Sequence, residues 1–183
     1  LDMNAPLHRN RPPNAPPVTA ASAERTQIDP NSPLHQNRPR APDAAAANRF
    51  GQSIAVSGET IVVGAPFQGD GSAQSGEAYV YTRVSGTWRQ EAQLKAPNPD
   101  SGDRFGCCVA IDRDTIVVGA PFEDGGSGDF SDNSATDSGA AYVFTRSMGT
   151  WTQRAYLKTP LPKALDRFGH SVSISGNTIV IGA

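Results

Sequence analysis

The sequence predicts an all-β protein in which four-stranded β-propeller blades follow a proline-rich extended arm. Phe-Gly pairs recur three times, and a Gly-Ala pair follows each at a constant distance; the pairs begin at Phe50 and Gly64, Phe105 and Gly119, and Phe168 and Gly182. After Asn48, short β-branched segments alternate with Gly, Ser and Asp turns, which is typical of strands. Residues 1–48, in contrast, hold nine of the 15 prolines and no aromatic residue.

Residues 1–48 form the predicted arm. With no aromatic and few aliphatic side chains, this segment cannot bury enough apolar surface to offset the entropy of ordering it. Its proline content favours extended, polyproline-like conformations. We interpret it as a low-complexity linker or stalk; the alternative is a docking arm that uses Arg11 and Arg38 for polar contacts with a partner.

Residues 49–183 divide into blade repeats. The predicted boundaries are 49–103, 104–166 and a partial repeat, 167–183. Two copies that keep their internal spacings and differ in length by one loop, between Pro121 and Gly139, are typical of a structural repeat. We expect four strands in each full repeat, and in the first they fall at about 50–57, 60–66, 76–83 and 87–96.

The strand patterns indicate sheets stacked face to face. In the first strand of each repeat, large residues such as Ile54 and Val56 alternate with small ones such as Ser53 and Ala55. The second strand, TIVVGA from Thr60, is apolar without alternation, which indicates burial on both faces. Repeated four-stranded sheets predict a β-propeller, whose radial arrangement protects the sheet edges. The alternative is a β-solenoid, whose repeats are usually shorter.

Composition and charge argue against several classes of function. A formal net charge of −2 cannot neutralise a phosphate backbone, so we expect no nucleic-acid partner. No apolar run approaches the roughly 18 residues that cross a bilayer, so we expect no membrane span. There is no nucleophile–base pair, phosphate-binding loop or zinc-ligand spacing. We therefore expect no enzymatic activity and no required cofactor.

The repeats resemble the FG-GAP repeat. The resemblance rests on Phe-Gly and Gly-Ala-Pro at fixed spacing, followed by AYVYTR or AYVFTR and then GTW, and it covers residues 48–183. The FG-GAP repeat is the blade of integrin α-chain-like β-propellers. The short first turn is similar to that in repeats of large secreted or surface proteins of bacteria and protists. The resemblance implies a seven-bladed propeller that binds partners through loops on one face and is not catalytic.

The sequence departs from integrin-like repeats at their calcium site. The resemblance implies calcium in an Asp-rich hairpin between Phe-Gly and Gly-Ala-Pro, but the three corresponding turns are short: residues 57–60, 112–115 and 175–178. Their side chains offer fewer oxygen ligands than the roughly six to eight that calcium takes. We therefore expect no calcium in these turns.

The loop between Pro121 and Gly139 is the leading candidate for partner contact. It has no Lys or Arg, and its acidic residues are Glu123, Asp124, Asp129, Asp132 and Asp137. By the resemblance, it joins the second and third strands on the face where integrin-like propellers meet ligands. Because carboxylates on a glycine-rich backbone suit hard cations, its four aspartates are also candidate calcium ligands. The alternative is a solvated polar loop that binds nothing.

The two cysteines are adjacent at the start of the second repeat. Strand alternation places Cys108 on the face of small residues, and Cys107 at the position that Gln52 and His170 fill in the other copies. Cys107 is a candidate for a disulfide to another chain, because a lone exposed cysteine in an oxidising compartment often pairs outward. The alternative is two unpaired small side chains.

The predicted function is that of an extracellular, cell-surface interaction or structural protein. It would present propeller loops to protein or glycan partners, or assemble into a surface structure. Two and a third repeats cannot close a ring, so we expect further blades of a longer parent chain or other copies of this one. The alternatives are a calcium-dependent adhesin or lectin, and the non-catalytic propeller of a larger enzyme.

Overall fold

Antiparallel sheets make up the computed structural model, which describes residues 39–40, 46–69 and 74–183. The first sheet has strands β1 to β4 in chain order: Ser53–Ser57, Thr60–Ala65, Glu77–Val84 and Thr87–Leu94. The second sheet repeats that order with β5 to β8: Cys108–Asp112, Thr115–Ala120, Ala140–Ser147 and Thr150–Leu157. A third sheet pairs β9, Ser171–Ser175, with β10, Thr178–Gly182.

The predicted fold class is confirmed: the described residues form all-β, four-stranded antiparallel sheets with the character of partial propeller blades. The helical content of this part of the chain is one 3₁₀ turn, Ala46–Asn48, and no helix there has the length and apolar character to cross a membrane. Most of the predicted arm, including Arg11 and Arg38, lies outside the described residues.

The two complete sheets share their irregularities as well as their strands. The outer strand pair of each contains a β-bulge, which falls between Val80 and Tyr81 in the first sheet and between Val143 and Phe144 in the second. The positions correspond in the two repeats, so the sequence repeat is also a repeat of backbone geometry. A bulge increases local twist, which suits sheets that are arranged radially.

The sheets stack face to face with their first strands as neighbours, β1 beside β5 and β5 beside β9. The first interface includes Val62, Val80, Phe105, Val109 and Ile111. The second includes Val117, Val143, Phe168, Val172 and Ile174. The middle strands β2 and β6 are buried on both faces, as their uninterrupted apolar sequence indicates. Each such valine or isoleucine contributes about 1.5–3 kcal/mol of burial free energy.

The Phe-Gly and Gly-Ala pairs meet where the sheets stack. Within the second repeat, the amide of Gly106 donates to the carbonyl oxygen of Gly119 at 3.0 Å. The carbonyl oxygen of Gly169, in the next Phe-Gly pair, lies so close to Gly119 that a Cβ there would overlap it. Gly64 and Gly106 repeat this relation one sheet earlier. The recurring motif is thus a backbone contact between neighbouring sheets.

A row of alternating arginines and phenylalanines crosses the three repeats: Arg49, Phe67, Arg104, Phe122 and Arg167. The guanidinium of Arg104 lies between two rings, 5.0 Å from the centroid of Phe67 and 4.1 Å from that of Phe122. Arg49 covers Phe67 at 4.3 Å, and Arg167 covers Phe122 at 5.1 Å. Such contacts contribute about 0.5–1 kcal/mol each at exposed sites, so this row helps to hold neighbouring repeats in their relative positions.

Candidate functional site

Three chain connections form one surface at the end of the second sheet. The inserted loop, residues 121–139, joins β6 to β7 and contacts the connections on both sides. The amide of Asn133 donates to Asp100 Oδ2 at 2.7 Å, which links it to the β4–β5 connection. The backbone nitrogen of Leu165 donates to the carbonyl oxygen of Thr136 at 2.9 Å, which links it to the β8–β9 connection.

Asp129 and Asp132 form the rim of this surface. The backbone nitrogen of Ser131 donates to Asp129 Oδ1, and that of Ser134 donates to Asp132 Oδ1, each at 2.9 Å. Hydrogen bonds from the backbone and hydroxyl of Ser131 lower the pKa of Asp129. Those from the hydroxyls of Ser134 and Ser127 lower the pKa of Asp132. Because hydrogen bonds to the ionised form stabilise it, the rim is negatively charged at neutral pH.

Asp124 and Asp137 shape the return of the inserted loop. Asp124 Oδ1 accepts a hydrogen bond from the backbone nitrogen of Asp137 at 2.8 Å. The carbonyl oxygen of Asp137 in turn accepts from the backbone nitrogen of Arg167 at 3.0 Å. Both aspartates are only partly exposed. They therefore hold the loop against the start of the third repeat.

The sequence predicts Glu123 as a contact residue, but the structure buries it. It is 1% exposed. Its carboxylate accepts hydrogen bonds from the backbone nitrogen of Gly125 at 3.0 Å and from the Tyr156 hydroxyl at 2.6 Å. It also accepts from Asn98 Nδ2 at 3.1 Å and from Lys158 Nζ at 2.5 Å. A buried carboxylate requires such partners, and through them Glu123 anchors the inserted loop.

The partners of Glu123 are connected to one another, and we call Glu123, Lys158, Asn98, Tyr142 and Tyr156 the Glu123 cluster. Asn98 Oδ1 accepts a hydrogen bond from the Tyr142 hydroxyl at 2.9 Å. Lys158 Nζ also donates to Ser138 Oγ at 2.7 Å. Burial, followed by the Glu123 charge, raises the pKa of Tyr142. Burial, followed by the hydrogen bond to Glu123, raises that of Tyr156, so both hydroxyls stay protonated donors.

Sequence reasoning missed Asn98, Tyr156 and Lys158. They belong to different connections and strands, and only folding brings them to one carboxylate. One signal was present: a lysine follows the fourth strand of both full repeats, as Lys95 and Lys158. In the first sheet, Lys95 Nζ pairs with Glu77 Oε1 at 2.7 Å, but the lysine side chain is 44% exposed. The two lysines correspond, but their acids do not: Glu77 lies at the start of β3, where the second repeat has Ala140, and Glu123 lies in the inserted loop.

Asp103 is a second buried acid beside the cluster. The residue is 2% exposed, and its Oδ2 accepts a hydrogen bond from the backbone nitrogen of Asp100 at 2.9 Å. Burial raises the pKa of Asp103 from 3.8 to about 7, and the charges of Asp100, Glu123 and Asp124 act in the same direction. Asp103 is thus the described carboxyl whose protonation state changes near neutral pH.

The four candidate calcium ligands do not converge. Among the described residues, no group of three or more His, Cys, Asp or Glu side chains is arranged to hold a metal ion. The aspartates are instead distributed between the rim and the return of the loop. This arrangement provides no set of calcium ligands, and calcium binding stays a prediction.

Both cysteines are free thiols and half-buried. Cys108 Sγ donates to the carbonyl oxygen of Gly169 at 2.9 Å, as Ser53 Oγ donates to that of Gly106 at 2.8 Å. Burial raises the pKa of Cys108 to about 12. Burial also raises the pKa of Cys107, although the charge of Arg104 lowers it in part. Cys108 is thus part of the contact between sheets. A disulfide from Cys107 to another chain stays a prediction.

Repeated four-stranded antiparallel sheets, stacked face to face with loops gathered at one end, define a protein of the β-propeller class. The FG-GAP repeat matches this chain at residues 36–81, 88–144 and 151–183. These segments cover well over half of the sequence, so the chain belongs to the FG-GAP repeat family. A comparison with curated proteins found no match. FG-GAP repeats suggest a propeller module for protein interaction, and they are typical of extracellular or cell-surface proteins.

Proposed function

We propose that this protein is an extracellular or cell-surface interaction module, which binds protein or glycan partners through the surface formed by residues 121–139 and the adjacent connections. It acts by binding and not by catalysis. The observation that carries the proposal is the construction of the inserted loop. A buried ion pair anchors it, and two charged aspartates, the exposed Asp129 and the partly exposed Asp132, lie at its rim.

The charge of the rim indicates which partners would be recognised. Asp129 and Asp132 are accompanied by Asp100 on the adjoining connection, and the inserted loop itself has no cationic residue. Such a surface favours basic protein segments or hydroxyl-rich glycans, which can donate hydrogen bonds to carboxylates. Rim charges mainly affect association rate and salt dependence, so recognition should weaken as ionic strength rises.

A binding array of glycans and of basic peptides tests this proposal. Asp129→Asn removes one rim charge and keeps an oxygen that can accept from Ser131. Glu59→Gln is the matched control, because it removes one exposed charge from the β1–β2 turn at the opposite end. We expect Asp129→Asn to weaken binding about three-fold at low salt and less at high salt. Equal effects of the two variants, or binding to no probe, would contradict the proposal.

A further inference from the structure

The Glu123 cluster brings an amine and a carboxamide together on one buried carboxylate. Lys158 Nζ donates to Glu123 Oε2 at 2.5 Å, and Asn98 Nδ2 donates to Oε1 of the same carboxylate at 3.1 Å. The side chains of Lys158 and Glu123 are 5% and 2% exposed. From this arrangement we propose that Lys158 and Asn98 become joined by an intramolecular isopeptide bond, with Glu123 as the residue that transfers the proton.

The carboxylate occupies the position that proton transfer requires. It contacts both the nitrogen that would attack and the nitrogen that would leave. Because Glu123 Oε2 accepts a hydrogen bond from Lys158 Nζ, the carboxylate can take up a proton from that nitrogen directly. The resulting neutral amine is a nucleophile, whereas the ammonium is not.

Tyr142 supplies the remaining requirement, which is polarisation of the amide. Its hydroxyl donates to Asn98 Oδ1 at 2.9 Å, and the residue is completely buried. A donor aimed at the carbonyl oxygen stabilises the negative charge that develops there when the carbon is attacked. Tyr156 donates to Glu123 and fixes the orientation of the carboxylate. Each polar atom of the amide thus has a partner suited to the reaction.

The reaction is a transamidation that needs no other reactant. Lys158 Nζ forms a bond to Asn98 Cγ, and the negative charge on Oδ1 is held by the Tyr142 hydroxyl. The Cγ–Nδ2 bond then breaks, and Nδ2 leaves as ammonia after taking up the proton that Glu123 received from the Lys158 ammonium. Glu123 takes the second proton, which Nζ loses as it becomes the amide nitrogen, and so ends protonated. The products are one secondary amide between the two side chains and one ammonia, so atoms and charge balance without a change of oxidation state.

A Glu–Lys pair in the first sheet, Glu77 and Lys95, provides an internal control. Glu77 accepts hydrogen bonds from Lys95, Tyr79 and Gln93, so an amine and an amide are present there as well. The Lys95 side chain, however, is 44% exposed, whereas that of Lys158 is 5% exposed. Water can reach the Lys95 amine and compete for its hydrogen bonds, so we expect the bond in the second repeat and not in the first.

Mass spectrometry of the denatured full chain tests the proposal. We expect a mass lower than that of the sequence by one ammonia. Trypsin should release a branched peptide in which Ala96–Arg104 is joined to Ala155–Lys163, with no cleavage after Lys158. A folded chain that has the full sequence mass, and that is cleaved after Lys158, would overturn the proposal.

Two matched variants locate the bond. Lys158→Arg keeps a cation for Glu123 but lacks a nucleophilic amine, so its mass should equal that of its sequence, with no branched peptide. Lys95→Arg should keep the mass deficit. Circular dichroism confirms that each variant is folded. A deficit that persists in Lys158→Arg would assign the ammonia loss to another residue and overturn the proposal. The result is independent of the binding test, because the mass reports a covalent bond and not the recognition of a partner.

Discussion

Asp103 illustrates what a single side chain contributes to this fold. The corresponding residue of the first repeat is Asn48, a neutral amide that hydrogen-bonds with Gln68. Asp103 has an ionisable group at the same place, within the connection between β4 and β5 and close to Glu123. Two acids share this buried region, and only Glu123 has a lysine for a partner. Ionising Asp103 therefore destabilises the folded state relative to the unfolded state.

Asp103 should make stability depend on pH. Its pKa rises from 3.8 to about 7 on folding, so the folded state binds the proton more tightly than the unfolded state. Its contribution is fully present below about pH 4 and is lost as pH rises to about 7. We expect Asp103→Asn to have a flatter stability profile in this interval, by about 1 kcal/mol or more. Urea unfolding of both proteins at several pH values measures the free energy of unfolding. Parallel profiles for the two proteins would contradict this prediction.

At the scale of strands, the interface between sheets depends on backbone contact more than on side-chain shape. Gly119 is the second-last residue of β6, and the Gly169 carbonyl approaches it there. The apolar residues around this point could be exchanged for others of similar volume. The glycine cannot, since any Cβ would separate the two sheets locally.

Gly119→Ala should therefore destabilise the protein. The added Cβ would overlap the Gly169 carbonyl oxygen, and overpacking of this kind costs about 1–3 kcal/mol. Gly128→Ala is the control, because a Cβ at Gly128 meets no atom within 4 Å. Urea denaturation should show a lower midpoint for Gly119→Ala and almost no change for Gly128→Ala. Equal midpoints would mean that the sheets can separate at no cost.

At the scale of the whole molecule, calcium binding would change the stability of the folded protein. An ion that bound only the folded protein at about 100 times its dissociation constant would add about 2.7 kcal/mol of stability. The described carboxylates form no site of three or more ligands. We therefore expect the melting temperature to be the same in EDTA and in millimolar calcium. A higher melting temperature in calcium would favour the calcium-dependent adhesin over the proposed module.

The sequence by itself determined the repeating fold. Spacing of Phe-Gly and Gly-Ala, alternation in the first strand and an uninterrupted apolar second strand are local patterns, and each is a direct consequence of strand geometry. They predicted the four-stranded sheets and the burial of β2 and β6 on both faces. They also identified the inserted loop as the variable part of an otherwise constant repeat.

Only the tertiary structure decided which loop residues face outward and which are internal. Glu123 and Asp124 are neighbours in the sequence, yet one is buried in an ion pair with Lys158 and the other is partly exposed. The partners Asn98 and Lys158 are distant in sequence and arrive from separate connections. Burial of a charge depends on what three-dimensional packing brings to it, and no local pattern around Glu123 encodes that environment.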